Sequence, residues 1–121
     1  MPHVLIVDDS TFARANLRRP LEEAGYTTSE ASSGQKALEI VQTVKPDLVT
    51  LDLLMPGMSG LETLIALLPL CPNSKIVVVS ADIQTATREE LIQAGAHVFL
   101  NKPVSRAELI ETAARLLAQN G

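Results

Sequence analysis

The chain has 121 residues, 46% of them apolar, enough for one domain of ordinary size to close a core without crosslinks. A net charge of -4 and an aromatic content of 2% argue against a nucleic-acid backbone or stacked bases as the ligand. Cys71 is the single cysteine, and no stretch has the length of a membrane span or the form of a signal peptide. An internal disulfide is therefore excluded, and a cytoplasmic setting without membrane contact is expected.

Strand and helix patterns alternate five times. Val4-Leu5-Ile6-Val7 predicts a strand over 3–7 that stops at Asp8 and Asp9. A helix is expected over 10–24, with Phe12, Ala13, Leu17, Leu21 and Ala24 at helical spacing. Pro20 lies inside it and predicts a local kink. Thr27-Thr28-Ser29-Glu30-Ala31 predicts a polar second strand. Ser32-Ser33-Gly34-Gln35 has helix-start spacing, and a helix is expected over 34–44. Leu48-Val49-Thr50-Leu51 marks a strand near 47–51, ending at Asp52. Ser59-Gly60-Leu61-Glu62 has capping-box spacing and opens a helix over 60–68. Ile76-Val77-Val78-Val79 fits a strand over 75–80 that runs into Ser80. The helix near 84–94 has two competing caps, Thr87 and Asp82. Ala24-Gly25 and Ala94-Gly95 read as helix ends with glycine in the left-handed cap position. A short strand over 97–100 precedes Asn101 and Lys102, and Ser105-Arg106-Ala107-Glu108 starts a helix over 105–119.

Strand composition orders the sheet. The first, third and fourth strands are nearly all apolar, as strands covered on both faces by helices are. The second is polar and the fifth is short, which suits sheet edges. Right-handed crossovers then give a three-layer αβα sandwich, a five-stranded parallel sheet in order 2-1-3-4-5. The strand order reverses between strands one and three, and open α/β sheets bind ligands at that point. Asp8 and Asp9 end one of those strands and Asp52 the other. Ser80 and Lys102 end the next two.

One sheet edge thus collects three carboxylates, a hydroxyl and an ammonium. Singly, each has a plainer reading: Asp8-Asp9 as a turn or cap, Ser80 as a strand-end cap, Lys102-Pro103 as a loop dipeptide. Together they point to chemistry. Clustered carboxylates repel unless a cation neutralises them, and an all-oxygen donor set suits Mg²⁺. The pattern is that of a Mg²⁺-dependent phosphoryl site with an aspartate acceptor.

The motifs Val7-Asp8-Asp9-Ser10, Leu51-Asp52-Leu53-Leu54-Met55-Pro56-Gly57, Val79-Ser80-Ala81 and Phe99-Leu100-Asn101-Lys102-Pro103 span the chain. In order and spacing they resemble the receiver domain of two-component response regulators, which share the 2-1-3-4-5 order and the (βα)5 fold. The resemblance implies one receiver domain over residues 1–121. It implies that Asp52 accepts a phosphoryl group from phosphohistidine on a sensor histidine kinase or histidine phosphotransfer protein. Asp9, Asp52 and the Leu54 carbonyl would ligate Mg²⁺, and Asp8 would act mainly through a bound water. Lys102 would pair with a phosphoryl oxygen, Ser80 would report its presence, and Phe99 would turn inward as the switch. The Lys102–Pro103 bond is expected to be cis. The first helix would dock the phosphodonor, with Arg14 and Arg18 as candidate contacts. The face of helix four, strand five and helix five, including Ala96, His97, Phe99 and Ala107, would meet a downstream protein target. The chain is expected to be a monomer or weak dimer, and a phosphoacceptor regulator that assists its own phosphorylation and dephosphorylation.

Several positions depart from the commonest family pattern. Ser80 stands where threonine is common, and it is freer at χ1 for want of a methyl. Phe99 lacks the hydroxyl of tyrosine. Leu54 and Asp82, two residues beyond Asp52 and Ser80, are expected to flank the phosphoryl group. A Mg²⁺ phosphatase of haloacid-dehalogenase type would need an aspartate where Leu54 stands. A flavodoxin-like cofactor carrier would need a phosphate loop where Asp8-Asp9 repels one. A stand-alone regulator and a piece of a longer one both fit the sequence.

Overall fold

A computed structural model describes residues 2–81 and 84–118. Its elements in chain order are β1 His3–Val7, α1 Thr11–Glu23, β2 Thr27–Ala31, α2 Gly34–Ile40 and β3 Leu48–Asp52. They continue with α3 Gly60–Leu67, β4 Lys75–Ser80, α4 Thr85–Ala94, β5 Val98–Asn101 and α5 Arg106–Ala118. All strand pairs are parallel, and the sheet order is β2-β1-β3-β4-β5, as the strand compositions predict.

The two-residue period of the strands divides the core into two layers. Leu5, Val7, Val49, Leu51, Ile76 and Val78 face Ala37, Leu64, Leu67 and Leu91 of α2, α3 and α4. Val4, Ile6, Leu48, Val77 and Val79 face Leu17 and Leu21 of α1 and Leu109, Ala113 and Leu116 of α5. Covering both faces explains why the middles of β1, β3 and β4 are mostly apolar. Thr50 is the polar residue inside β3, and its buried Oγ1 has no hydrogen-bond partner among the described residues.

Serines open four of the helices. Ser10, Ser33 and Ser105 accept from the amides of Ala13, Lys36 and Glu108, while Ser59 and Glu62 form a reciprocal capping box. Gly25 and Gly95 take φ of +100° and +116° where α1 and α4 end. Helix α1 runs unbroken through Pro20.

Most boundaries lie within a residue of the sequence reading, and two helix ends bear on it. Helix α2 stops at Ile40, four residues early by the sequence expectation of 44. The amide of Thr43 turns back to Ile40 O in the tighter three-residue pattern. β-Branched Val41, Thr43 and Val44 disfavour helix, and Pro46 drives Lys45 out of helical geometry. The Lys45 ammonium then takes the Val41 and Leu70 carbonyls at 2.7 and 2.9 Å. Helix α4 begins at Thr85 behind Gln84, which makes no side-chain cap bond, so Thr87 lies inside the first turn. Asp82 lies outside the described residues.

The amino edge of the sheet is tied together. The His3 amide donates to Asp47 Oδ2 at 2.7 Å, and the amides of Asp47 and Lys75 donate to His3 O and Asp47 O. Ser74 Oγ donates to Pro46 O, and His97 Nδ1 accepts from the Ile76 amide at 3.0 Å. No helix among the described residues is long and apolar enough to cross a membrane.

Candidate functional site: an acidic pocket at the carboxyl edge

The site grows out of the ends of four strands. Beyond β1, the Asp8 amide continues the ladder to Ala31 O of β2 at 3.0 Å, and the Asp8 carboxylate lies beside Asp52 at the end of β3. Asp8 is buried, Asp9 beside it is exposed, and Asp52 is the buried last residue of β3. Each of the three offers an oxygen within 4.8 Å of the others'. This is the cluster expected at the reversal of strand order.

Lys102 enters from beyond β5. Its amide donates to Ser80 O at 2.8 Å, which ties the loop to the end of β4. The following Lys102–Pro103 bond is cis, as expected. The ammonium lies 2.9 Å from Asp8 Oδ2 and 3.7 Å from Asp52 Oδ1. Asp8 is held a second time, since Oδ1 accepts the Ser10 amide at 2.9 Å. Asp52 is held less firmly, by the Leu54 amide at 3.4 Å.

The electrostatics follow from this crowding. Burial, then the charges of Asp8 and Asp9, push the Asp52 pKa above the usual carboxylate range, against the pull of Lys102 and the Leu54 amide. Partial burial pulls the Lys102 pKa down. The hydrogen bond to Asp8 and the charges of Asp52 and Asp8 outweigh it and leave the pKa raised. One ammonium against three carboxylates leaves the pocket negative. The donor set is all oxygen and in mutual reach, which fits a hard divalent cation such as Mg²⁺.

Ser80 ends β4 with its Oγ buried and without a hydrogen-bond partner among the described residues, which suits it to a ligand oxygen. Phe99, in β5 opposite Val78, is half-buried, and the Arg88 guanidinium of α4 sits 5.0 Å from its ring centroid. Leu54 is 71% exposed beside Asp52. Phe12 is 76% exposed and rims a cleft of about 610 Å³ between α1 and the start of α5, where Pro20, Arg19, Lys102 and Arg106 meet.

Arg14 and Arg18 are held within the domain, although the helix pattern suggested that they point outward. Both turn onto Glu30 of β2, at 2.9 and 2.8 Å. Arg14 Nη1 also donates to the Asp8 carbonyl at 2.6 Å. Sequence reasoning missed this contact. The available signal was the parallel pairing of β1 with β2, which sets Glu30 opposite Ile6, two residues before Asp8.

Comparison with known proteins agrees with this geometry. The sequence profile described as the response regulator receiver domain matches residues 4–114. The chain is 41% identical over 109 residues to the chemotaxis protein CheY of Thermotoga maritima, covering 89% of this chain and 91% of that one. It is 35% identical over 112 residues to the chemotaxis protein CheY of Listeria monocytogenes, covering 92% and 94%. A CheY-like receiver domain protein from Methanospirillum hungatei superposes with a TM-score of 0.95 at 27% identity, over 99% of this chain and 96% of that one. Receiver domains bind Mg²⁺ at an acidic pocket and serve as signalling switches. With its sheet order, acidic pocket and sequence relatives in agreement, the chain belongs to the response regulator receiver domain family of two-component signalling.

Proposed function

We propose that this chain is a phosphorylation-dependent switch whose phosphoacceptor is Asp52. The observation that carries the reading is a buried carboxylate at a strand end, facing two further carboxylates and the Lys102 ammonium. Asp8, Asp9 and Asp52, with the Leu54 carbonyl, would hold Mg²⁺. The ion supplies charge neutralisation and orientation for phosphoryl transfer. An Asp52 oxygen forms the bond to phosphorus as the donor's P–N bond to phosphohistidine breaks. Lys102 stabilises the charge on the phosphoryl oxygens. The partnerless Ser80 hydroxyl is suited to bond one of those oxygens, and Phe99 then turns toward the space Ser80 leaves. Exposed Leu54 limits the approach of water to the acyl phosphate.

The donor is a sensor histidine kinase or histidine phosphotransfer protein, which sets the protein in the cytoplasm. The cleft rimmed by Phe12, Arg19 and Arg106 is the docking surface we assign to it, in place of Arg14 and Arg18. Output passes through the face of α4, β5 and α5 to a protein target. We read all 121 residues as one receiver domain, a monomer or weak dimer that assists its own phosphorylation and dephosphorylation.

The test is uptake of a phosphoryl group from acetyl phosphate in Mg²⁺, read by intact-mass spectrometry. Wild type should gain one phosphoryl mass and Asp52→Asn should not. Full-stoichiometry gain by Asp52→Asn would overturn the assignment.

A further inference from the structure

The Arg14 contact assigns a task to a side chain that the phosphoryl chemistry does not use. Arg14 lies in the first turn of α1, and its side chain leans back over the helix start, as helical side chains do. Its side chain is only 13% exposed. Nη1 donates to the Asp8 carbonyl at 2.6 Å, Nε to Glu30 Oε1 at 2.9 Å and Nη2 to Thr11 Oγ1 at 3.2 Å. Glu30 is held in turn by Arg18 Nη1 at 2.8 Å. A planar fork fixed at three points has little freedom left.

The carbonyl it grips belongs to the peptide that joins Asp8 to Asp9. Rotation of that peptide would leave the Asp8 carboxylate anchored, because Lys102 and the Ser10 amide hold it separately. It would swing the exposed Asp9 carboxylate. We infer that Arg14 is a positioning residue for the metal site: by clamping the Asp8–Asp9 peptide against Glu30, it aims the Asp9 carboxylate at Asp8 and Asp52. This inference rests on the reading of the three carboxylates as a Mg²⁺ site.

Charge makes the inference testable by sign. Removing a cation from beside an acidic pocket favours Mg²⁺ binding on electrostatic grounds alone. Loss of aim weakens it, and outer-shell groups of metal sites typically cost 10-fold or more in affinity when removed. The experiment is an Mg²⁺ titration of the full chain followed by the amide NMR shifts of Asp9 and Ser10, with urea midpoints in EDTA alongside. Arg14→Gln should weaken Mg²⁺ binding about tenfold. Arg14→Lys keeps the charge, but one ammonium cannot span Glu30 and the Asp8 carbonyl as the fork does, so it too should weaken binding severalfold. Arg18→Gln, which shares Glu30 but does not touch Asp8, should bind Mg²⁺ as wild type does.

Unchanged or tighter Mg²⁺ binding in Arg14→Gln would overturn the inference, as would wild-type affinity in Arg14→Lys. A lower urea midpoint with unchanged Mg²⁺ affinity would make Arg14 merely structural and overturn it too. If wild type itself shows no Mg²⁺-dependent shift at Asp9 and Ser10, the metal-site reading fails, and this inference with it.

Discussion

Asp52→Asn should stabilise the metal-free protein. Each carboxylate of the pocket has an oxygen within 4.8 Å of an oxygen of the other two. At an effective dielectric of about 20, such a separation costs at least about 3.5 kcal/mol per pair. The Lys102 ammonium at 3.7 Å returns about 4.5 kcal/mol of attraction to Asp52 on the same scale. Two repulsions against one attraction leave a net cost of about 2.5 kcal/mol, which solvent around exposed Asp9 reduces to about 1–2 kcal/mol. Asparagine keeps the shape and can still accept the Leu54 amide.

The pH dependence has a definite sign. Asp52 is a carboxyl whose folded pKa lies above its unfolded value, so the native state holds its proton longer. The cost of the ionised form is therefore absent below the unfolded pKa of about 3.9 and complete above the raised folded value. Urea titrations in EDTA at pH 8 should place the Asp52→Asn midpoint above that of wild type by about 0.5–1 M, given a slope of about 2 kcal/mol per molar urea. The gain should shrink as the pH falls through the raised pKa. Excess Mg²⁺ should reverse the order, because wild type gains binding free energy that the variant largely loses. A lower midpoint for Asp52→Asn in EDTA at pH 8, or a gain that Mg²⁺ leaves untouched, would refute the shared acidic site.

Two further outcomes are expected. Thr50→Val removes a buried hydroxyl without a partner, so it should raise stability by about 1 kcal/mol, and a loss in thermal or urea melts would mean that Oγ1 is satisfied after all. His97 is exposed overall, but loss of solvent around its ring, with the nearby Lys75 charge, lowers its pKa, and Nδ1 must stay unprotonated to accept the Ile76 amide. Its contribution should be intact above the unfolded pKa of about 6.5 and be lost as the pH falls through the lower folded value. The stability difference between wild type and His97→Asn should then shift in favour of the variant on going from pH 7.5 to 5, and a pH-independent difference would remove His97 as a cause.

Asp8, Asp9, Asp52, Ser80 and Lys102 were legible because each stands where an apolar run stops. Parallel strands ending at one edge need no coordinates to bring such residues together. The edge positions of β2 and β5 were legible for a related reason, their polarity and shortness. Arg14 was not, because a helix pattern tells which residues are off the apolar stripe but not what they meet. Its partner Glu30 comes from another element, in a register that only the sheet supplies. The end of α2 was misread because apolar Val41 and Val44 continue the helical spacing, while β-branching and Pro46 turn the backbone away. Thr50 looked like an ordinary strand residue, and only packing reveals that no acceptor reaches it.

The ties along the amino edge have a consequence for how such a protein changes over time. His3, Asp47, Lys75 and the His97–Ile76 pair bind the strands at one end. At the other end, Ser80 Oγ lacks a partner among the described residues, Asp9 is exposed and Asp52 is lightly held. The ties of the amino edge thus lie at the opposite end of the strands from the proposed acidic site. On the proposed function, substitutions in the loops after β1, β3, β4 and β5 would alter partner choice or the lifetime of a modified state while leaving the amino-edge ties intact. With the ties at one end and the acidic pocket at the other, one scaffold would serve for many signals on that reading.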